Sequence, residues 1–133
     1  MKYEILEHRA DLKIRAFGKT NEKLFENAMI GMFESARYEG KGEEIKRKIK
    51  ISSQDFFSLL VDFLSELLYL CETNKEVYFQ VQFIKFSDKE IDGILIGKKL
   101  KRMGVHIKGV TYYGLDIHQR EDGTWQATIL FDI

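Results

Sequence analysis

Apolar side chains recur along this chain at two spacings, every second residue and every third or fourth, and the two spacings come in blocks. From Asp11 to Phe17, Leu12, Ile14 and Ala16 alternate with Lys13 and Arg15, the period of a strand with one buried face. Tyr3 to Leu6 gives a short strand before it, and Gly18 closes the block. Thr20 stands where a helix N-cap belongs, with Glu22 in the first turn. Leu24, Phe25, Ala28, Met29, Met32, Phe33 and Ala36 follow at helical spacing and predict an amphipathic helix from about Asn21 to Arg37.

The next block, Ile45 to Ile51, sets Ile45, Ile49 and Ile51 against Lys46, Lys48 and Lys50, again a strand. Gly40-Lys41-Gly42 before it reads as a loop. Ser52 and Asp55 resemble a capping box with Asp in the usual Glu position. Phe56, Leu59, Leu60, Phe63, Leu64, Leu67 and Leu68 then give the strongest helical periodicity in the chain, ending near Glu72. Beyond it the chain is nearly all strand: Val77 to Phe83, a turn at Ser87-Asp88-Lys89, Ile91 to Gly97, a basic loop from Lys98 to Gly104, and an extended segment from Val105 to Gln119. Asp122-Gly123 signals a two-residue type I′ hairpin before the alternating Trp125, Ala127, Ile129 and Phe131. The order ββα, βα, then strands predicts an α+β fold. It is a single domain with a mainly antiparallel or mixed β-sheet and two amphipathic helices packed on one face.

That hairpin fixes a register. With two loop residues, Leu115 falls opposite Leu130 and Tyr113 opposite Asp132. Asp132 stands beside the α-carboxylate of Ile133, and two adjacent negative groups repel unless a cation compensates. A hard divalent ion such as Ca²⁺, Mg²⁺ or Mn²⁺ suits such oxygens. Solvated surface carboxylates would have the same spacing. A second polar cluster is Glu7-His8-Arg9-Ala10-Asp11, where Asp11 suits a metal and His8 an acid, base or orienting role. Equally, Asp11 can simply start a strand and His8 pack in a turn.

Composition narrows the function. The 133 residues suit one core. Lys plus Arg number 21 and Asp plus Glu number 21, so no overall field draws the chain to nucleic acid. RNA contact would need a local patch, such as Lys46-Arg47-Lys48 with Lys50 or Lys98-Lys99 with Lys101-Arg102, or a partner. Tyr112 and Tyr113 could stack on bases or sit half-buried in a sheet. The single cysteine, Cys71, follows an apolar helix face and reads as core. It allows no internal disulfide, and Met1-Lys2-Tyr3-Glu4-Ile5 lacks a signal peptide's apolar stretch, so a cytoplasmic setting is expected, with no membrane contact. His106 and His118 are isolated. No G-x-S-x-G, P-loop or G-x-G-x-x-G occurs, which leaves no machinery for acyl or phosphoryl transfer.

Five segments taken in order resemble the archease family. They are His8-Arg9-Ala10-Asp11 running to Gly18, Leu24-Phe25-Glu26-Asn27-Ala28 to Met32-Phe33, Leu59 to Leu70, Lys108-Gly109-Val110-Thr111-Tyr112, and Ile129-Leu130-Phe131-Asp132-Ile133. The resemblance implies a non-catalytic accessory protein of the RtcB-type tRNA-splicing ligase. Such a protein promotes guanylylation and turnover of the ligase and broadens its use of nucleoside triphosphates, so that RNA is met through the ligase. It also implies a divalent-metal site at Asp11, Asp132 and the terminal carboxylate of Ile133, with Lys108 and His8 on the ligase-activating surface. Position 9 is Arg where the family favours Thr, position 113 is Tyr where His is frequent, and Lys98 follows Gly97 where an acidic residue is common. The competing readings are an RNA-binding module or chaperone for RNA-modifying enzymes, and, more weakly, a metal-dependent hydrolase with His8 as base.

Overall fold

The alternating block that starts at Asp11 is the strand β2 (Asp11–Gly18), whose Leu12, Ile14 and Ala16 are fully buried. A computed structural model describes residues 1–8 and 10–133, with only the backbone described at Glu7 and His8. Around β2 run β1 (Tyr3–His8), α1 (Asn21–Ser35), β3 (Glu39–Ser52), α2 (Phe56–Asn74), β4 (Glu76–Phe86), β5 (Glu90–Arg102), β6 (Gly109–Gln119) and β7 (Trp125–Asp132). The α+β class and the two helices agree with the sequence pattern. The strands, however, divide between two sheets, ordered β1-β2-β7-β6 and β3-β5-β4, with every pairing antiparallel.

Each helix touches both sheets. α1 packs on β2 and on β4, and α2 packs on β6 and on β3 and β4. This explains why α1 is buried nearly all round, from Leu24 through Phe33, since a helix with solvent on one side needs only one apolar stripe. Phe25 of α1 ties the layers together, with ring centroids 5.0 Å from Phe86 of β4 and 5.4 Å from Phe56 of α2. Thr20 caps α1 as expected, its Oγ1 accepting from the Lys23 amide. At α2 the cap is Asp55 itself, which accepts from the Ser58 amide at 2.7 Å, while Ser52 still belongs to β3. Gly18 sits so close to α1 that a Cβ there would lie 2.3 Å from the Leu24 nitrogen. No other residue lets β2 end against the helix's first turn.

Five expectations for the strands and their turns change. The basic stretch from Lys98 continues β5 as far as Arg102, pairing with Glu39, Gly40 and Lys41, so Gly40-Lys41-Gly42 lies within β3. That arm is exposed along most of its length, and without a buried face it leaves no apolar period to read. The segment from Val105 becomes strand only at Gly109. The hairpin is held by the Gly123 amide to the Arg120 carbonyl, 2.9 Å, and the Arg120 amide to the Thr124 carbonyl, 2.8 Å. Gly123 alone has positive φ there, +88°, so the loop holds three residues and is no type I′ turn. β6 then bulges between Thr111 and Asp116, with Gly114 at φ +67°, and the residue opposite Asp132 becomes Gly109 instead of Tyr113.

A charged network sits inside the second sheet. Arg47 turns away from the Lys46, Lys48 and Lys50 row and grips Glu76 with two bonds of 2.8 and 2.7 Å, while the Tyr78 hydroxyl donates to the same carboxylate at 2.8 Å. Glu76 is 6% exposed. The Arg47 hydrogen bonds hold its carboxyl below the usual carboxylate range against burial, and burial followed by Glu76 pushes the Tyr78 phenol up. A carboxyl depressed in the folded state adds stability above the unfolded carboxylate range and loses it as pH falls through the folded value. Arg47→Ala strands Glu76 without its cation and should cost roughly 1–3 kcal/mol at pH 7, discounted from a fully buried pair because Arg47 is partly exposed. The deficit should shrink as pH falls, because without Arg47 the buried Glu76 of the variant takes a proton more readily than the paired carboxylate does. Urea unfolding of both chains at pH 7 and in acid checks the size and the sign.

Candidate functional site

β7 lies between β2 and β6, so the end of the sequence has its beginning as a neighbour. Eight consecutive pairs run in phase from Asp11↔Asp132 to Gly18↔Trp125, and on the other side Asp132 faces Gly109. Leu12, Ile14, Ile129 and Phe131 are fully buried, so their alternating neighbours Asp11 and Asp132 stand together on the outer face, both exposed. Directly opposed residues of antiparallel strands have Cβ atoms about 4.5–5.5 Å apart. Among the described residues nothing lies within 4 Å of the Cβ position on Gly109, beside Asp132.

Ile133 follows Asp132 directly, with its side chain half-buried against the core. The Lys108 amide donates to the Asp132 carbonyl at 2.7 Å. The Lys108 side chain lines a groove of about 240 Å³ with Ser65, Tyr69 and Glu72 of α2. Of the residues singled out in the sequence, Asp11, Asp132, Ile133 and Lys108 therefore gather at one end of the first sheet. His8 ends β1 beside them, but its side chain, like Arg9, lies outside the described residues.

The donor set suits a hard cation. Asp11 and Asp132 offer only oxygen, and like charges directly opposite one another on a sheet repel. Among the described residues no cluster of three or more His, Cys, Asp or Glu side chains is placed to hold a metal. Spacing alone left Asp11 and Asp132 in two separate clusters, which only the archease resemblance joined, and it set Tyr113 where Gly109 stands opposite Asp132. The alternating apolar residues of the two strands carried that signal, because matching Leu12 to Phe131 also matches Asp11 to Asp132.

Other candidates fall away or move. Cys71 is fully buried and burial pushes its thiol up to about 11, so it is core and no nucleophile. His106 meets Glu72 at 2.7 Å and His118 meets Asp116, all on the surface. Tyr112 and Tyr113 are 58% and 82% exposed because the β6 bulge turns them out, so they are not half-buried sheet residues. Lys46, Lys48 and Lys50 are exposed. No helix among the described residues is long and apolar enough to cross a membrane.

These features define a small α+β protein whose polar chemistry is gathered where its first and last long strands pair. The chain belongs to the archease family: residues 3–133 match the Archease protein family (MTH1598/TM1083). It is 40% identical to the protein archease of Methanosarcina mazei, covering 99% of this chain and 96% of that one. It is 31% identical to the protein archease of Pyrococcus furiosus, covering 98% of each. Among solved structures it is similar to Methanobacterium thermoautotrophicum protein 1598, with a TM-score of 0.70, 29% identity and 99% of each chain covered. It also shares its fold with a Thermotoga maritima protein described as an archease and possible chaperone, with a TM-score of 0.71, 18% identity, and 96% and 94% of the chains covered.

The facing carboxylates make a direct prediction. In chelator and low salt, Asp132→Asn or Asp11→Asn should stabilise the fold by roughly 0.2–1 kcal/mol by relieving cross-strand repulsion. The gain should fade at about 1 M salt, where the charges are screened. Denaturant titrations at both ionic strengths check it.

Proposed function

We propose that this chain is a non-catalytic activator of an RtcB-type RNA ligase, acting in the cytoplasm through the end of the sheet that carries Asp11, Asp132, Ile133 and Lys108. The observation that carries this reading is the direct pairing of Asp11 with Asp132, which puts two oxygen donors beside the chain end. A divalent ion held by the two aspartates and the Ile133 carboxylate would supply Lewis acidity toward phosphate oxygens. The protein's own residues do the rest. The aspartates would hold that ion at the end of the sheet, and Lys108 contributes a positive charge at its rim. An accessory protein speeds a partner's reaction only by binding the reactive state better than the resting one, so the surface must meet the ligase in its guanylylating form. The possible-chaperone description of the Thermotoga maritima protein fits a role exerted on another protein.

Asp11→Ala and Asp132→Ala should each lower stimulation of ligase guanylylation at least about tenfold, the loss of a single strong electrostatic contact. Both variants should keep the parent's circular dichroism. Lys108→Ala should weaken the effect less. Full stimulation by both aspartate variants would remove the reading. The lysine row of β3 and the exposed tyrosines of β6 favour a second reading, direct RNA contact. It predicts RNA affinity without ligase, falling steeply as salt rises.

A further inference from the structure

Opposite the buried stripe of α2, Ser58, Asp62, Ser65, Tyr69 and Glu72 recur at steps of four and three, so they share one face of the helix. Ser65, Tyr69 and Glu72 are exposed, and Ser58 and Asp62 partly so. Tyr69 stands out, 62% exposed, with the small Ser65 beside it. A hollow of about 460 Å³ lies between it and the end of β3, at Lys50 and Ser52. On its other flank is the groove that Lys108 and Gly109 line. A third hollow, of about 500 Å³, runs past Ser58 and Asp62 to Tyr112 of β6. Asp62 is common to the first and third hollows, and Ser65 and Tyr69 to the first and the groove. The three therefore form one furrowed surface, from Tyr112 to Gly109, the residue opposite Asp132.

Two properties of this surface say what fits it. The first is its pair of projecting tyrosines. Tyr38 and Tyr78 are buried and use their hydroxyls inside the protein, whereas Tyr69 and Tyr112 each turn more than half of their area to solvent. A tyrosine offers a large rigid contact at little entropic cost, which is why it anchors protein interfaces. The second property is charge. The 19 residues of α2 include Asp62, Glu66 and Glu72 and no lysine or arginine, in a chain with 21 such cations. Some of this charge is already met: His106 reaches Glu72, the Ser53 hydroxyl donates to Asp62, and Lys50 and Lys108 stand at the edges. Glu66 and the facing Asp11 and Asp132 beyond Gly109 keep the surface acidic. Its complement is a cationic protein surface. An enzyme that joins RNA ends has one, because it must hold phosphates beside its active site.

We infer that the outer face of α2 with Tyr112 docks on the cationic rim of the ligase's RNA-binding cleft, with Tyr69 and Tyr112 as anchors and Glu66 supplying complementary charge. This rests on the reading of the protein as a ligase activator and adds a division of labour to it. The α2 face supplies affinity, and the end of the sheet at Asp11 and Asp132 acts once the two proteins are joined. Contacts that hold the complex in its resting and reactive forms alike set how much activator is needed, while contacts made only in the reactive form set how fast the saturated complex reacts. The two sets of residues therefore move different quantities.

Titrating the full chain into a purified RtcB-type ligase, with guanylylation rate as the readout, separates them. Tyr69→Ala and Tyr112→Thr keep a good helix former and a good strand former at exposed positions, so both variants should melt as the parent does. Each should raise the half-saturating concentration at least about tenfold and reach the parent's plateau. Glu66→Lys should raise it too, and the parent's own value should climb between about 0.05 and about 0.5 M salt. Asp11→Ala should lower the plateau instead. Parental half-saturation in both tyrosine variants, with normal stimulation by the parent, overturns this inference and leaves the aspartate reading standing. No stimulation by the parent removes both. Sedimentation and RNA binding of the chain alone cover the other occupants. Self-association or RNA affinity that the tyrosine variants abolish, while half-saturation holds, gives the face to a second copy or to RNA and overturns the inference as well.

Discussion

The structure rests on the pairing of β2 with β7. Eight residues near the start of the chain and eight at its end lie in phase, with the alternation of each matching that of the other. Ile14 meets Ile129, Leu12 meets Phe131, and Ala16 meets Ala127, so the inner face of the four-stranded sheet is continuous across the join. A slip of one residue would turn all of these outward at once, which is why the register is so tightly held. The same phase sets Asp11 against Asp132 as an unavoidable by-product of burying their neighbours.

β2 consequently has opposite chemistry at its two ends. One end carries the facing carboxylates. At the other end Gly18 gives way to Lys19 and the first turn of α1, with Arg120 alongside. A formal net charge of zero conceals this separation, because composition sums charges that the fold keeps far apart. Arg47 shows the same effect on a smaller scale: in the sequence it belongs to a basic run, and in the fold it is the counterion of a buried glutamate.

Much of this was legible beforehand because one buried face leaves a period. Leu12, Ile14 and Ala16 announce β2, and Phe56 to Leu68 announce α2, in which Leu59, Leu60, Phe63, Leu64 and Leu67 are fully buried. Where the environment is symmetrical the period vanishes. The arm of β3 and β5 around Lys41 and Lys99 is wet along most of its length, and it read as loop. The division into two sheets depends on which distant strands meet, and local pattern does not specify that. The Asp122-Gly123 signal located the hairpin correctly and misjudged its length by one residue. That single residue, with the bulge at Gly114, moved Tyr113 away from Asp132 and brought Gly109 there. The resemblance to archeases named the residues of the acidic end, and the register supplies the physical reason that Asp11 and Asp132 meet.

The central place of β7 also bears on how the chain is made. Translation delivers β2 and β6, its two neighbours, before β7 exists. Until the last strand leaves the ribosome, the backbone amides and carbonyls of both neighbours that it will satisfy have no partner, and the apolar rows beside them lack their cover. Nascent archease-fold chains must therefore wait with an open seam in the first sheet. The closing step joins residues more than a hundred positions apart, the kind of distant contact that slows folding and leaves unfinished chains prone to stick to one another.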